Sequence, residues 1–478
     1  MDSFLTFCLP VAQNSYYFDI RNRPFFCQKT PLCYNKKMAE KSKIKSIKAR
    51  EISDSNGKPT VEVELKTNFG KFRSSVPSGV STGKYEAAVL ETKKAIENIE
   101  KIIFPAVKEY SFFSTLRFAR VIEKEDLSSQ KKVDEFLIQL DGTKNKSRLG
   151  ANAILPVSMA VCRAAAARQK LPLYRYISRL AECNPLINLP KPSFNMVEGG
   201  KHAESGLAFQ EFMIVPQKET FKENFRIGKE IYNSLKKILE EKFGKKNVGL
   251  SKEGAFTAPI EKITDAFDLI LEAAGKTGHK ENIKFAIDAA ASEFYEDGNY
   301  KVDGKTISRE QLSEFYKDLT EKYPIILIED PFHEEDFGGF AELKNEIGER
   351  ALIFGDDLTV SNIERIKLAK ENNSCSGLIL KPNQIGTVSE TIEAAKLAKS
   401  FTRAKRRVGD EGKLGRRQTS ATGWKIMVAN RAGETKDDFI ADLAVGVGAE
   451  FIKSGAPFPK ERMVKYNRLV KIEEELHA

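Results

Sequence analysis

The sequence predicts an α/β protein in which a β/α (TIM-like) barrel is preceded by a smaller α+β domain. Three observations carry this prediction. An antiparallel meander followed by helices fills the first third of the pattern. Beyond it, short apolar strands alternate with helical segments. Those strands also end alike, in a charged residue, as strands do at the catalytic rim of a barrel.

Taken in order, strand-like stretches run from Ile44 to Ile52, Thr60 to Lys66 and Lys71 to Ser75, with Asn56-Gly57 and Asn68-Phe69-Gly70 as turns. Helical periodicity follows over Lys84 to Val107, Lys131 to Gln139 and Asn152 to Gln169, the last with Leu155, Met159 and Cys162 on one face. The proline-bearing stretch Asn184 to Pro192 sets the boundary between a domain over 38–183 and one over 184–478. Seven strands are then expected: Phe209 to Val215, Phe285 to Ala289, Ile325 to Glu329, Leu352 to Asp356, Leu378 to Lys381, Ile426 to Asn430 and Phe451 to Lys453. Helices over Phe221 to Phe243, Lys262 to Ala274, Arg309 to Tyr323, Ile363 to Asn372 and Ser389 to Lys399 separate them. The C-terminal ends of these strands are expected to carry Glu211, Asp288, Glu329, Asp356, Lys381, Arg431 and Lys453.

Composition narrows the function. Among 478 residues, 77 Lys and Arg face 67 Asp and Glu, a formal charge of +10 that suggests a polyanionic partner. The distribution of that charge argues otherwise. Residues 1–50 hold ten basic and three acidic residues, and 401–421 hold seven and two, which leaves the other 407 residues at −2. Hydrophobic residues at 41% rule out a wholly disordered chain, and no apolar run approaches the roughly 18 to 20 residues of a membrane span. Six cysteines without a C-x-x-C pair give neither a disulfide scaffold nor a zinc site, so reduced thiols and a cytosolic setting are expected. Residues 1–37 match no later pattern and are expected to form a poorly structured extension, with Met38 an alternative start. The apolar stretch Phe4 to Ala12 follows Asp2 rather than a basic residue, unlike a secretory signal; a diverged organelle-targeting peptide is the competing reading.

Asp288, Glu329 and Asp356 each end an apolar strand, 41 and 27 residues apart. Three converging carboxylates repel unless a cation holds them, and an all-oxygen set selects a hard ion such as Mg²⁺. The alternative for each acid is a solvated strand end or a helix cap. Lys381 and Lys453 end later strands. A lysine beside a divalent ion is a candidate general base if its pKa falls from ~10.4 to roughly 7 to 8, about 4 kcal/mol of differential stabilisation. A salt-bridge partner is the other reading of Lys381. Gly304-Lys305-Thr306 resembles the end of a P-loop, but Asn299 stands where its first glycine belongs. Four histidines without H-E-x-x-H argue against a zinc hydrolase, and Arg403 to Arg407 reads as a solvated loop rather than a nucleic-acid site.

From Ile44 to Leu476 the chain resembles the enolases (phosphopyruvate hydratases). The matching segments include Asp54-Ser55-Asn56-Gly57-Lys58-Pro59-Thr60, Ser78-Gly79-Val80-Ser81-Thr82-Gly83, Gln210-Glu211-Phe212-Met213, Ile328-Glu329-Asp330-Pro331-Phe332, Leu380-Lys381-Pro382-Asn383-Gln384 and Gly433-Glu434-Thr435. The resemblance implies an enolase-type barrel and the reversible dehydration of 2-phosphoglycerate to phosphoenolpyruvate with two Mg²⁺ per site. It assigns the first ion to Asp288, Glu329 and Asp356, the second to Ser81, and removal of the α-proton to Lys381. Glu253 is implied to protonate the departing hydroxyl, supported by Glu211, while His202 closes over the substrate. Gln210, Lys453 and Arg431 are implied to bind it, with Asn430 and Ala432 beside them. It also implies a homodimer or larger homo-oligomer in the cytoplasm, with a surface or secreted pool as in the family, and neither a specific nucleic-acid partner nor membrane insertion.

Four departures from the family pattern stand out. Ala429-Asn430-Arg431-Ala432 replaces Ser-His-Arg-Ser, removing an imidazole and a hydroxyl. Gly249 to Ala255 replaces Gly-Asp-Glu-Gly-Gly with extra residues, residues 401–422 form an insertion, and the loop after Glu91 is short. A catalytically weak enolase-fold protein with a binding role is therefore the alternative function. A racemase-like barrel is disfavoured by Gln210-Glu211 together with Gly433-Glu434-Thr435.

Overall fold

The computed structural model describes residues 44–79, 83–113, 130–183, 188–203, 205–401 and 423–477, with side chains only to 108 in the second stretch. The extension expected over 1–37, Ser81, and the insertion beyond Phe401 lie outside them.

Three antiparallel strands, β1 (Ile44–Ser53), β2 (Pro59–Thr67) and β3 (Lys71–Ser75), pair in chain order. Val61, Val63 and Leu65 alternate with less buried residues, so one face of the meander is apolar. The expected helix from Lys84 starts later. Residues before Thr92 give their backbone groups to other partners: Leu90 is bracketed by the Asn152 side chain at 3.1 and 2.7 Å, Ala87 N–H donates to Gln384, and Ala88 N–H to Asn145. Helix α1 (Thr92–Asn98) then passes through a wide π turn, Ile99–Ile103, into α2 (Phe104–Phe113). Pro105, which lacks an N–H, stands where the helical ladder resumes. Helices α3 (Gln130–Asp141), α4 (Ala151–Arg168) and α5 (Leu173–Leu180) complete this part. The alanine-rich α4 is buried on nearly every side, beyond the single apolar face expected, because small side chains let β2, β3, α3 and α5 approach it.

The next strand was not expected. β4 (Lys191–Glu198) begins inside the proline-bearing stretch and leads to β5 (Glu211–Pro216), α6 (Phe221–Phe243), and the short pair β6 (Gly249–Leu250) and β7 (Phe256–Thr257). Thr220 caps α6 by accepting from Glu223 N–H at 3.2 Å. Helix α7 (Ile263–Lys276) precedes β8 (Ile283–Asp288). A small sheet follows, of β9 (Tyr295–Glu296), β10 (Asn299–Val302) and β11 (Lys305–Ile307). Asp303 and Gly304 both have positive φ, 48° and 73°, so Gly304-Lys305-Thr306 belongs to a tight hairpin rather than a phosphate loop. Regular units then alternate: α8 (Arg309–Lys322), β12 (Ile325–Glu329), α9 (Phe337–Ile347), β13 (Leu352–Gly355), α10 (Ile363–Glu371) and β14 (Gly377–Leu380). After them come α11 (Pro382–Ile385), α12 (Val388–Ser400), β15 (Lys425–Ala429), α13 (Phe439–Gly446), β16 (Phe451–Lys453) and α14 (Lys460–His477).

Eight strands close on themselves in the order β4, β5, β8, β12, β13, β14, β15, β16 and back to β4. The β6–β7 hairpin is attached outside through Val197 and Phe256. Met213, Val215, Ala286, Leu327, Phe354, Ile379, Met427, Ala429 and Phe451 fill the barrel interior. Strand β5 runs antiparallel to both neighbours. Glu211 therefore opens its strand instead of closing it, contrary to the expectation from sequence, and reversal of the strand still brings it to the rim where the others end.

Candidate active site

Each barrel strand delivers a polar side chain to one rim. Register places Glu198 of β4 opposite Glu211 of β5, Glu211 opposite Asp288 of β8, and Asp288 opposite Glu329 of β12. Asp356 follows β13, Lys381 follows β14, Asn430 follows β15, and Lys453 ends β16. Lys381 is partly exposed and the other seven are buried. In this ring Glu211 and Lys381 stand on diametrically opposed strands, with Asp288, Glu329 and Asp356 on the three strands between them.

The charges are compensated in groups. Lys453 Nζ donates to Glu329 at 2.7 and 2.8 Å, to Glu211 Oε2 at 3.0 Å and to Asp288 Oδ2 at 3.3 Å. Lys381 pairs with Asp356, whose other oxygen accepts from Gln384 Nε2 at 2.8 Å. Burial raises the Asp356 pKa, yet Lys381 and Lys453 outweigh it and hold the group down at about 2. Glu329, buried beside Asp288, lies well above the carboxylate range despite Lys453. Burial lowers the pKa of Lys381, but Asp356 reverses this and leaves it raised. The depression expected of a working base is therefore absent while Asp356 is its partner. Asp330, just beyond β12, accepts from Asp356 and Asp357 N–H groups at 2.9 and 2.7 Å and so fixes the turn that presents Asp356.

Asp288, Glu329 and Asp356 supply only oxygen atoms, and Glu329 is unfavourably ionised even in contact with a lysine. A hard divalent cation relieves that penalty, so the three residues fit Mg²⁺. Among the described residues Gln210 Oε1, buried beside them, has no hydrogen-bond donor.

Across the ring lies a carboxyl pair. Burial pushes Glu211 up to about 8, with Glu253 and Asp288 adding repulsion that Lys453 only partly offsets. Burial also raises Glu253, but Arg462, His202 and the Asn430 bond lower it more, and its pKa falls below the ordinary value. Glu253 is presented by the turn between β6 and β7. There Ser251 Oγ accepts from the N–H groups of Glu253 and Ala255, both at 3.1 Å, and Gly254 has φ +84°. A Cβ on Gly254 would lie 2.2 Å from Pro459, which fixes glycine after the acid despite the altered motif. Asn430 Nδ2 donates to Glu253 Oε2 at 2.9 Å, and Asn195 Nδ2 at 3.3 Å. Burial lowers His202, but Glu198, Glu253 and Glu211 overcome it and raise it to about 9.

Arg431 grips Glu86 through two bonds, 2.8 and 3.0 Å, and Asn383 Oδ1 at 3.1 Å. Its neighbour Ala432 lines the same cleft, and its carbonyl accepts from Arg462 at 2.8 Å. The cleft thus brings together Lys381, Glu253, Glu211, His202, Gln210, Arg431, Lys453, Asn430, Ala432, Asp288 and Asp356, with Glu329 beneath on Lys453. Sequence reasoning missed Glu198, Glu86, Asp330 and Asn195. Glu198 had a readable signal, an acid followed by Gly199-Gly200, but no strand is expected between the boundary stretch Asn184 to Pro192 and Phe209.

A β/α barrel with metal-ready carboxylates flanked by a lysine and a carboxyl pair defines a class: enzymes that move a proton from carbon with a cation's help. Residues 44–177 match the family model described as the enolase N-terminal domain, and residues 186–406 and 411–478 match the one described as the enolase C-terminal TIM barrel domain. Over 451 residues the chain is 44% identical to the enolase of Methanocaldococcus jannaschii, covering 92% of this chain and 97% of that protein. The chain belongs to the enolase family, the Mg²⁺-dependent lyases that reversibly dehydrate 2-phosphoglycerate to phosphoenolpyruvate in glycolysis.

Proposed function

We propose that this chain carries out the enolase reaction with Lys381 as the base at the α-carbon and the Glu211–Glu253 pair as the source of the proton for the departing hydroxyl. One observation carries the reading. The lysine and the carboxyl pair face each other across the barrel mouth, the disposition an elimination needs when base and acid work from opposite sides of the substrate. Glu211, near 8, holds a proton at neutral pH while Glu253 stays ionised, so the proton sits first on Glu211 and Glu253 stabilises its position. Once Lys381 is freed from Asp356, the largest remaining influences, burial, Lys453 and Arg431, lower its pKa and outweigh the weaker pull of Glu329. Arg431, released from Glu86, offers its fork to the phosphate. Lys453, Gln210 and His202 orient the carboxylate and hydroxyl.

Asp288, Glu329 and Asp356 would hold one Mg²⁺ and Ser81 a second, and the ions, when bound, neutralise the negative charge that gathers on the substrate carboxylate as the α-proton leaves. The reading extends to a cytoplasmic homodimer or larger homo-oligomer. Among the described residues no helix is long and apolar enough to cross a membrane.

The deciding experiment follows phosphoenolpyruvate formation from 2-phosphoglycerate, with and without Mg²⁺, by the protein and by Lys381→Ala. The expected loss in the variant is about a hundred- to ten-thousandfold. Equal rates for the two would overturn the assignment. The reading of a weak catalyst with a binding role rests on Asn430 and Ala432, and an undetectable Mg²⁺-dependent rate in the unaltered protein would favour it.

A further inference from the structure

Glu198 has no part in the reaction as assigned above, yet it ends β4 fully enclosed beside His202. The chain folds back on itself between the two. Gly199 N–H donates to the Gln210 carbonyl and Gly200 N–H to that of Leu207, at 3.1 and 3.0 Å, and a short 3₁₀ turn over Gly200–His202 returns the imidazole to the acid four residues before it. A Cβ on Gly199 would lie 2.6 Å from the Phe209 carbonyl oxygen, which keeps glycine after the acid. His202 Nδ1 then stands 3.5 Å from Glu198 Oε2 and 3.6 Å from Glu211 Oε1. Among the described residues neither Nδ1 nor Glu198 Oε2 has a hydrogen-bond partner, although both atoms are buried. Buried polar atoms left unpaired are costly. Hydrogen bonds of an active site are often long before substrate arrives and tighten as the site closes.

The other charged groups around the imidazole are already engaged. Glu211, near 8, keeps its own proton at neutral pH and gives Oε2 to Lys453 at 3.0 Å. Glu253 accepts from Asn430 and Asn195 at 2.9 and 3.3 Å. Lys201 pairs with Glu293, and Lys252 donates to the Lys201 carbonyl at 3.4 Å. Glu198 is held from behind, since its Oε1 accepts from Asn195 Nδ2 at 2.7 Å, and its Oε2 is the oxygen nearest His202 Nδ1 among these pairs. We propose that Glu198 is the positioning residue of His202: Oε2 accepts the Nδ1–H bond as the site closes, fixes the ring, and brings the imidazole to the substrate as a cation. Burial lowers the His202 pKa, and Glu198 leads the acids that raise it to about 9. A cation 3.6 Å from Glu211 favours the carboxylate that remains when that acid passes its proton to the departing hydroxyl. The pairing stands on its own geometry, and only its effect on turnover rests on the enolase reading.

Carbon-13 NMR of the full chain with Mg²⁺ and labelled histidine follows the four imidazoles through a pH titration, and the resonance absent from His202→Asn identifies His202. Its midpoint is expected well above the ordinary value of about 6.5, and lower by about one pH unit or more in Glu198→Gln. Glu198→Asp, which keeps the charge but draws it back from Nδ1, should titrate between the two. An unaltered midpoint at or below about 6.5, or one that Glu198→Gln leaves in place, overturns the assignment. Should Glu198→Gln fail to fold, Glu198→Asp decides, and a midpoint equal to that of the unaltered protein overturns it. In the kinetic arm, kcat of Glu198→Gln at about pH 8 should fall about ten- to a hundredfold, less than the roughly hundred- to thousandfold for removing a preorganised donor outright. The loss should shrink toward about pH 6, where an imidazole is charged without help. An equal loss at both pH values is that of a structural residue and overturns the positioning role. Lys381-dependent turnover that Glu198→Gln leaves unchanged removes Glu198 from the site and leaves the reaction assignment intact. A protein without such turnover, whose His202 midpoint still drops in Glu198→Gln, keeps the pair and overturns the reaction assignment.

Discussion

Asn430 shows how one side chain sets the state of another. Its amide donates at 2.9 Å to Glu253 and, with Arg462 and His202, keeps that buried carboxylate ionised. Asn430→Ala leaves the anion short of a donor. Removing one preorganised donor from an active site costs roughly a hundred- to a thousandfold in kcat, and that range is expected here. The pKa of Glu253 should rise at the same time, moving the acidic limb of the pH–rate profile upward, a shift that loss of packing alone would not give. The opposite change, Asn430→His with Ala432→Ser, returns an imidazole and a hydroxyl to the cleft and is expected to raise turnover; a double variant no faster than the parent would show these two departures to be neutral. At this scale Asp288, Glu329, Asp356, Lys381 and Lys453 were legible because each closes a short apolar strand of its own. Glu86 was not, because its meaning comes from Arg431, 345 positions away. Glu198 was hidden by Ser193 and Asn195, fully buried polar residues that break the apolar run expected of a barrel strand.

Among the elements, regular βα units read well and the connections between domains did not. From α8 onward barrel strands and helices alternate in one pattern, apart from the short α11. The reversed β5 is set by its antiparallel pairing with β4 and β8, which leaves no mark on an individual strand. Residues 84–91 are helical by periodicity and irregular in fact, a turn followed by backbone without regular structure, since the backbone groups of Ala87, Ala88 and Leu90 are taken by Gln384, Asn145 and Asn152 from elsewhere in the chain. The clearest joint between the two parts is the bridge of Ser78 with Gly433, where N–H groups donate both ways at 2.8 and 3.0 Å. A Cβ on Gly433 would lie 2.1 Å from Ser78 Oγ and 2.2 Å from Asp54 Oδ2. Gly433→Ala should therefore destabilise the protein by about 1–3 kcal/mol, as overpacking does, in urea unfolding. It should also lower turnover, because Arg431 is only two residues away. A variant with unchanged stability and rate would mean that the joint yields without cost.

At the scale of the whole molecule, two charge distributions matter. The basic excess lies in residues 1–50 and 401–421 of the sequence, whereas the barrel mouth pairs its lysines with acids. Where the chain leaves the described part at Phe401 and returns at Gly423, the ends adjoin: Trp424 N–H donates to Ala398 at 3.0 Å, and the rings of Phe401 and Trp424 sit 5.1 Å apart. Excision of 402–422 should accordingly leave Mg²⁺-dependent turnover intact, and loss of activity in a folded excision variant would tie that segment to the site. The second distribution is the acidic rim, which makes stability depend on pH in a definite direction. Burial raises Glu211 and Asp357 to about 8, and lifts Glu329 and Asp330 well above the carboxylate range, so the folded metal-free chain retains protons that the unfolded chain has already released. Stability from such groups is complete below their unfolded values near 4 and is lost as pH rises through about 8. His202, raised to about 9 by its acidic neighbours, acts in the same sense. Asp356, held at about 2, acts oppositely but only in acid, where its contribution disappears as pH falls from about 4 toward 2. A bound Mg²⁺ needs the ionised carboxylates, so its stabilising effect grows over the window in which the metal-free chain weakens. In EDTA the Tm should fall between about pH 6 and about pH 9, and added Mg²⁺ should raise Tm more at the higher pH. A metal-free Tm that stays level across that range would show that the rim carboxylates are not held protonated, and the assignment of the first transferable proton to Glu211 would fall with it.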